Sequence, residues 1–303
     1  MEENSSGLPK LSRREALKAI AGGFLLTAGG VTLTGCSPED TDTTSTIKNP
    51  QKVPTPKLQV ATSTLNDEVD FHITEQRFFT SLENNDEKSK FTEMVGVQRK
   101  KFKEEPGFSA RVKESQKWTS LVRECGQQLG YKPDSFVYDY MTSLILVESS
   151  GNSKAVSGVG ARGLCQLLFS TAQDAYAQIK PKERQLLNIP KKEITPDNLF
   201  DPKTNIALCM QYLADRARFY TDPSLAFWVY HLGDGNLIHA MTAYLGNVPY
   251  TGDPKGTVER YKLNFVKLIT NNAVIARLNR DGAFNDDTQF YVPRIAAAKT
   301  FLG

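Results

Sequence analysis

The stretches Val147-Glu148-Ser149-Ser150-Gly151-Asn152 and Gly160-Ala161-Arg162-Gly163-Leu164-Cys165-Gln166-Leu167 decide how this chain is interpreted. The first closes a segment of helical periodicity whose apolar stripe joins Glu148 to Val137, Met141, Leu144 and Ile145. Gly151 or Asn152 is expected to end that helix in the left-handed conformation. A carboxyl group at such a position is partly desolvated, which raises its pKa, as suits a general acid. A chance glutamate at a helix end is the alternative.

The spacing of these residues resembles the signature of the lytic transglycosylases of the bacterial cell wall, in the goose-type lysozyme superfamily. That signature reads Glu-Ser-x-x-Asn, then Ala-Val-Ser, then Gly-Ala-x-Gly-Leu-x-Gln-Leu. The matching segments are Glu148 to Asn152, Ala155-Val156-Ser157 and Gly160 to Leu167. Cys165 replaces the usual Met and keeps an apolar, sulfur-bearing side chain. The resemblance implies a mainly α, lysozyme-like (goose-type) catalytic domain over residues 115–303.

Two later blocks extend the resemblance. Ala226 to Gly233 parallels the family's Ala-x-x-x-Tyr-Asn-x-Gly, with Tyr230 at its tyrosine and His231 in place of its asparagine. The His231 departure leaves open the amide contact expected from asparagine. Phe290-Tyr291-Val292-Pro293-Arg294 matches a block whose tyrosine lines the cleft beside the catalytic acid. Because proline is tolerated mainly near a helix start, Pro293 is expected to place Tyr291 at the mouth of the last helix.

The composition is that of an ordinary globular chain, with 303 residues, 40% hydrophobic content and a net charge of +3. This near-neutral balance gives no argument for nucleic-acid binding. The cysteines and the three histidines show no metal-ligand spacing, so neither a metal nor a cofactor is expected. If Cys36 is used elsewhere, any disulfide joins two of Cys125, Cys165 and Cys209, and the sequence does not decide which.

Residues 1–36 have the features of an export segment. Ser12 to Lys18 (Ser-Arg-Arg-Glu-Ala-Leu-Lys) fits the twin-arginine pattern, and a short, glycine-interrupted apolar stretch follows. Leu33-Thr34-Gly35-Cys36 resembles the lipobox of bacterial lipoproteins, which implies lipidation of Cys36. In a bacterium with two membranes, Ser37 is typical of lipoproteins at the periplasmic face of the outer membrane. A plain basic signal segment is the alternative.

The segments between the export signal and the catalytic domain differ in composition. Residues 37–67 are rich in Ser, Thr and Pro, so they are expected to form a disordered tether that lets the domain reach wall polymer. A flexible stretch without that purpose predicts the same disorder. Residues 68–114 are expected to form a helical extension of one or two amphipathic helices.

Little β-type alternation occurs in residues 115–303, so this domain is expected to be nearly all helical. Further helices are predicted to start at Asp134 or Ser135, at Ser170, at Asp201-Pro202 and at Asp222-Pro223. Another helix is expected from Thr257 through Val274.

Glycoside cleavage usually requires two carboxyl groups, and the signature supplies only Glu148. Asp234 is the nearest second candidate, but Asp234-Gly235 favours a turn. The resemblance implies that Glu148 alone protonates the bond between N-acetylmuramic acid and N-acetylglucosamine in peptidoglycan. The same residue then acts as a base, and the product is a 1,6-anhydro sugar formed without water.

The resemblance also implies roles for four further residues. Ser149 and Gln166 would position the acid or the substrate's acetamido group, whereas Tyr230 and Tyr291 would line the sugar subsites. Buried hydrogen-bonding groups without a substrate role are the alternative for Ser149 and Gln166. Three other functions remain open: a hydrolytic muramidase of the same fold, a non-catalytic peptidoglycan-binding lipoprotein, and a chitin- or chitosan-acting relative.

Overall fold

The structure, a computed structural model, describes Leu82 and residues 84–133 and 135–302. The predicted export segment with Cys36, the predicted tether over residues 37–67 and the start of the predicted extension lie outside the described residues. Within the described part of the chain, no helix is both long enough and apolar enough to span a bilayer.

The described residues form a series of helices, and β-structure among them is limited to the isolated bridges Val156–Arg162 and Arg162–Leu167. The α-helices are, in chain order, α1 (Asn85–Glu104), α2 (Phe108–Gln116), α3 (Thr119–Gln128), α4 (Phe136–Ser149), α5 (Phe169–Gln178), α6 (Pro181–Leu186), α7 (Pro202–Tyr220), α8 (Pro223–Leu232), α9 (Asp234–Leu245), α10 (Pro254–Tyr261), α11 (Phe265–Ile269), α12 (Asn272–Arg280) and α13 (Asp286–Leu302). A 3-10 helix, Pro196–Phe200, precedes α7.

Helix α4 lies at the centre of the core. It packs against α13, α2, α3 and α7, and its Met141, Leu144 and Ile145 are fully buried. A helix enclosed in this way needs apolar residues around most of its circumference, which explains the apolar character of its sequence. The carboxyl group of Glu148 near its end is therefore an exception that requires a chemical explanation.

The described part of the predicted extension forms α1 and α2, and α1 packs along α13. Phe91 of α1 is buried edge-to-face against Phe265, with ring centroids 6.5 Å apart. Asn264 Nδ2 donates a hydrogen bond of 2.9 Å to Glu87 Oε2 of α1. These contacts make α1 part of the same hydrophobic core as the helices of the predicted catalytic domain.

The predicted aspartate caps of α7 and α8 are confirmed. Asp201 accepts a hydrogen bond of 2.8 Å from the backbone N–H of Thr204, and Asp222 accepts one of 2.9 Å from Leu225. Each cap precedes a proline at the first helical position, where proline costs no hydrogen bond. Helix α4 begins directly after Ser135, as predicted, although the Ser135 side chain makes no capping bond.

The expected helix from Thr257 through Val274 is wrong, because α10, α11 and α12 occupy this region instead. Lys262 ends α10 in the left-handed conformation, with φ 48°. Asn264 and Asn271 then accept backbone N–H groups as the N-caps of α11 and α12. Asparagine favours such capping bonds over a helix interior, so these residues divide the apolar pattern into short helices.

Two other predicted helix starts are also wrong. Ser170 is the second residue of α5, whose N-cap position is occupied by Leu168. Pro293 lies well inside α13, which begins at Asp286. A proline there removes one backbone hydrogen bond and destabilises the helix by about 3 kcal/mol. Burial of the surrounding apolar side chains Val292, Ile295, Ala296 and Ala297 offsets that cost.

Candidate functional site

Glu148 lies in the last turn of α4 and is only 6% exposed. Ser150 ends the helix in the left-handed conformation, with φ 56°, and Gly151 continues at φ 81°. The expected left-handed end is thus present, although Ser150 takes the cap position that the sequence assigned to Gly151 or Asn152. The Gly151 carbonyl accepts a 2.9 Å hydrogen bond from Trp118 Nε1, which fixes the turn behind the glutamate.

Tyr291 of α13 contacts the glutamate carboxyl group. Its hydroxyl donates a 2.6 Å hydrogen bond to Glu148 Oε1, and the tyrosine is only 4% exposed. The imidazole of His231 stacks on the Tyr291 ring, with centroids 4.5 Å apart and planes inclined by 17°. The hydroxyl of Tyr291 therefore contacts the predicted catalytic acid, and its ring is covered on one face by His231.

Gln166 and Ser149 bond to the backbone around the predicted acid. Gln166 is 1% exposed, and its Nε2 donates to the carbonyl oxygens of Gly163 at 2.9 Å and Ala155 at 3.1 Å. The Ser149 hydroxyl donates to the Ile145 carbonyl of the preceding turn at 3.3 Å. Gln166 thus helps to fix the shape of the loop that follows α4.

Asn205 of α7 anchors the same loop, a role that the sequence did not reveal. It is fully buried, its Oδ1 accepts from the Cys165 N–H at 2.8 Å, and its Nδ2 donates to the carbonyls of Arg162 and Leu199. Gly163 approaches this amide so closely that a Cβ would lie 2.5 Å from Asn205 Nδ2. The loop glycine and the α7 asparagine therefore form one close-packed junction.

Tyr230 of α8 lies behind the loop, among sulfur atoms. Its hydroxyl donates to the Cys165 carbonyl and accepts from the Cys209 thiol at 3.5 Å. Burial raises the pKa of Tyr230 well above its ordinary value, and the nearby groups, including Glu148, act in the same direction. Tyr230 is consequently a neutral phenol at physiological pH, tied to the loop backbone.

Cys125, Cys165 and Cys209 are all free and buried, so no disulfide joins any two of them. Burial raises the pKa of the Cys125 thiol to about 12 and that of Cys165 well above its ordinary value. A thiol with so little thiolate is a poor nucleophile and metal ligand. Across the described residues, no group of three or more His, Cys, Asp and Glu side chains is arranged to hold a metal ion.

Asp234, the second carboxyl candidate, is bound to other side chains. It forms a 2.9 Å ion pair with Arg216 and accepts a 2.7 Å hydrogen bond from the Tyr220 hydroxyl. The expected turn at Asp234-Gly235 is wrong, because α9 begins at Asp234 directly after Gly233. An acidic residue in the first turn of a helix is stabilised by the helix dipole, which suits a structural carboxylate.

The outer part of the loop carries an exposed cationic and apolar surface that the sequence did not indicate. Lys154 and Arg162 each place their cationic group 5.4 Å from the centroid of the Phe200 ring. Val159 on the same loop is 65% exposed. Arg162 also forms a 3.1 Å ion pair with Asp197, which links the loop to the 3-10 helix.

Residues 132–244 match the family model described as Transglycosylase SLT domain. The mainly α, lysozyme-like fold expected from the sequence is confirmed. The match supports lytic transglycosylase activity on peptidoglycan in general. It includes Glu148, Gln166 and His231, whereas Tyr291, which binds the glutamate, lies beyond the matched segment.

Proposed function

We propose that this chain is a peptidoglycan lytic transglycosylase that cleaves the β-1,4 bond from N-acetylmuramic acid to N-acetylglucosamine, with Glu148 as acid and then as base. The observation that carries the proposal is the buried carboxyl group of Glu148 and its 2.6 Å hydrogen bond from Tyr291. This glutamate lies inside the segment that matches the transglycosylase family.

The reaction begins when the protonated Glu148 carboxyl group donates its proton to the glycosidic oxygen. The bond from that oxygen to C1 of the muramoyl sugar then breaks, and the carbonyl oxygen of the 2-acetamido group stabilises C1. The Glu148 carboxylate next removes the proton of the 6-hydroxyl, and O6 attacks C1. The glutamate regains its proton, no water is consumed, and the product is a 1,6-anhydromuramoyl end.

The Tyr291 bond suits both steps of this cycle. A phenol hydroxyl can donate both to the carbonyl oxygen of a carboxylic acid and to a carboxylate. The bond therefore holds the orientation of Glu148 while its protonation state changes. Asp234, bound to Arg216 and Tyr220, supports a mechanism with a single carboxyl group.

The contacts of the other predicted substrate residues support roles in positioning and in lining the cleft rather than in proton transfer. Ser149 and Gln166 shape the ends of α4 and its loop, and we assign them the positioning of the acid and of the acetamido group. Tyr230 would form a wall of the sugar subsites from α8. Tyr291 would contribute through its hydroxyl.

The decisive experiment is Glu148→Gln in the full chain, assayed on purified sacculi. The variant is expected to lose release of soluble muropeptides and to retain sedimentation with sacculi. Glu124→Gln is the matched control, because Glu124 is an exposed glutamate on α3 that forms an ion pair with Lys203 of α7. Undiminished release by Glu148→Gln would contradict the proposal.

The mass of the products separates the proposal from its nearest rival. A lytic transglycosylase leaves an anhydromuramoyl end, which is lighter by one water than the reducing end left by a hydrolytic muramidase. Wild-type protein that sediments with sacculi and releases neither product would instead be a non-catalytic wall-binding protein. Activity on chitin oligosaccharides alone would indicate a different polymer.

The proposed location is the cell envelope, with a lipid anchor at Cys36 and residues 37–67 as a tether. Two or more acyl chains suffice for stable anchoring, since each buried methylene contributes about 0.8 kcal/mol. Metabolic labelling with a fatty acid is expected to mark the wild-type chain and to be absent in Cys36→Ala. Replacing Arg13 and Arg14 with lysine is expected to block export.

A further inference from the structure

His231 is connected to the predicted catalytic acid by two contacts. Its imidazole lies flat against the ring of Tyr291, with centroids 4.5 Å apart, and the hydroxyl of Tyr291 reaches Glu148 Oε1 at 2.6 Å. His231 is in the last turn of α8 and is half-buried, whereas Tyr291 beneath it is buried. A titratable ring thus covers the phenol that binds the glutamate.

We propose that His231 is a positioning residue whose protonation state controls the proton on Glu148 through the stacked ring of Tyr291. The inference rests on the proposed function of Glu148 for its kinetic test. Imidazole takes up a proton near pH 6.5 in water, within the range in which a catalytic carboxyl group must change its own state.

Electrostatics gives the direction of the coupling. An imidazolium on the face of the Tyr291 ring makes its hydroxyl a stronger donor, and it also favours a negative charge on Glu148. A neutral imidazole lacks both effects, so Glu148 more readily keeps the proton needed for bond cleavage. Protonation of His231 therefore opposes the acid form of Glu148, and loss of that proton restores it.

The other titratable groups around this pair do not provide the same control. Tyr230, next to His231 on α8, is a half-buried phenol whose hydroxyl donates to the Cys165 carbonyl and accepts from the Cys209 thiol. Asp234 at the start of α9 is neutralised by Arg216 of α7. Arg294, one turn after Tyr291 on α13, pairs with Glu105 at 3.3 Å. The pKa of Tyr230 is raised by burial, so it stays a neutral phenol where an imidazole titrates, and Asp234 and Arg294 are held in ion pairs.

The kinetic test compares pH profiles of muropeptide release for the wild type, His231→Asn and His231→Phe. Both variants lack the imidazolium, so the alkaline fall of kcat/KM is expected at a pH higher by about 0.5 unit or more. His239→Asn is the control. His239 of α9 pairs with Asp281 at 2.9 Å and contacts neither Tyr291 nor Glu148. A uniform loss of rate at every pH would show a packing role and overturn the proposal.

A second test needs no activity and therefore separates this inference from the proposed function. Nuclear magnetic resonance follows the titration of the three histidines, and His231→Asn identifies the His231 signals. Coupling is reciprocal, so Glu148→Gln is expected to lower the midpoint of His231 by a similar 0.5 pH unit. Tyr291→Leu is expected to weaken that coupling, because it removes the ring that lies between His231 and Glu148. An unchanged His231 midpoint in Glu148→Gln would overturn the inference even in an active transglycosylase.

Discussion

The hydroxyl of Tyr291 lies 2.6 Å from Glu148 Oε1, although 143 positions separate the two residues in the chain. Glu148 ends α4 and Tyr291 lies inside α13, and the two helices pack against each other through the core. The C-terminal helix, outside the matched family segment, therefore completes the candidate site. A truncated chain that ended with the matched segment at residue 244 would lose this contact.

Tyr291→Phe tests the contribution of this contact. The substitution removes one hydroxyl from a buried position and leaves the ring and its stacking on His231 in place. Because the donor to the predicted acid is lost, we expect muropeptide release to fall roughly 10- to 100-fold. Tyr176→Phe is the matched control, since its hydroxyl makes a 2.7 Å bond to the Pro190 carbonyl elsewhere. Equal rates for the two variants would contradict the assigned role of Tyr291.

Asn205→Ala tests the anchor of the loop. The buried amide of Asn205 binds the Cys165 N–H and the carbonyls of Arg162 and Leu199, and alanine at this position removes all three hydrogen bonds. We expect the free energy of unfolding to fall by about 2 to 4 kcal/mol. The measurement is chemical denaturation, with Asn236→Ala as the control, because Asn236 makes a single part-buried bond to the Leu232 carbonyl. A loss no larger than that of the control would show that the loop holds its shape without Asn205.

Gly163→Ala and Gly235→Ala form a matched pair for backbone packing. Gly163 has φ +76°, and a Cβ there would lie 2.1 Å from the Leu199 carbonyl oxygen, which belongs to the backbone. The strained backbone of alanine at this φ and the overlap of its Cβ with that oxygen are together expected to lower the free energy of unfolding by about 2 to 4 kcal/mol. Gly235 lies in α9 with nothing within 4 Å of its Cβ position, so alanine there is expected to stabilise by up to about 1 kcal/mol. Thermal unfolding separates the two, and equal melting temperatures would refute the close approach at Gly163.

The parts of this fold that the sequence predicted correctly depend on local chemistry. Asp201 and Asp222 bond to backbone groups three residues away, so their capping roles can be inferred from neighbouring residues alone. The burial of Glu148 follows from its place on the apolar stripe of a single helix. These predictions needed no knowledge of which helices meet in space.

The parts that the sequence missed depend on contacts between distant segments. Pro293 lies inside α13 because tertiary burial outweighs the local preference of proline for a helix start. The roles of Asn205 and of the His231–Tyr291 stack require the packing of α7, α8 and α13 to be known. In the same way, the sequence allowed a disulfide among three cysteines, but only the folded chain shows that all three are free.

The cysteines are expected to be unreactive in the native state. Burial raises the pKa of Cys125 to about 12 and raises that of Cys165 as well, so thiolate is scarce at pH 8. In the full chain with Cys36→Ser, we expect alkylation to be at least about a thousandfold slower than after unfolding. Denaturant without reductant should then expose three reactive thiols. A count of one would reveal a disulfide and contradict the structure.

Buried tyrosines are expected to make the fold unstable in alkali. Burial is the main cause that raises the pKa of Tyr212 to about 12, and it raises the pKa of Tyr131 and Tyr220 further. Their unfolded value is about 10, so the protonated phenols contribute stability below pH 10, which is lost as the pH rises toward the folded values. For Tyr212 alone the loss between pH 10 and 12 is on the order of 2 kcal/mol. Denaturation at several pH values should therefore show that the free energy of unfolding falls above pH 10, and that it falls less steeply in Tyr212→Phe. Identical slopes for the wild type and the variant would contradict the assigned burial of this hydroxyl.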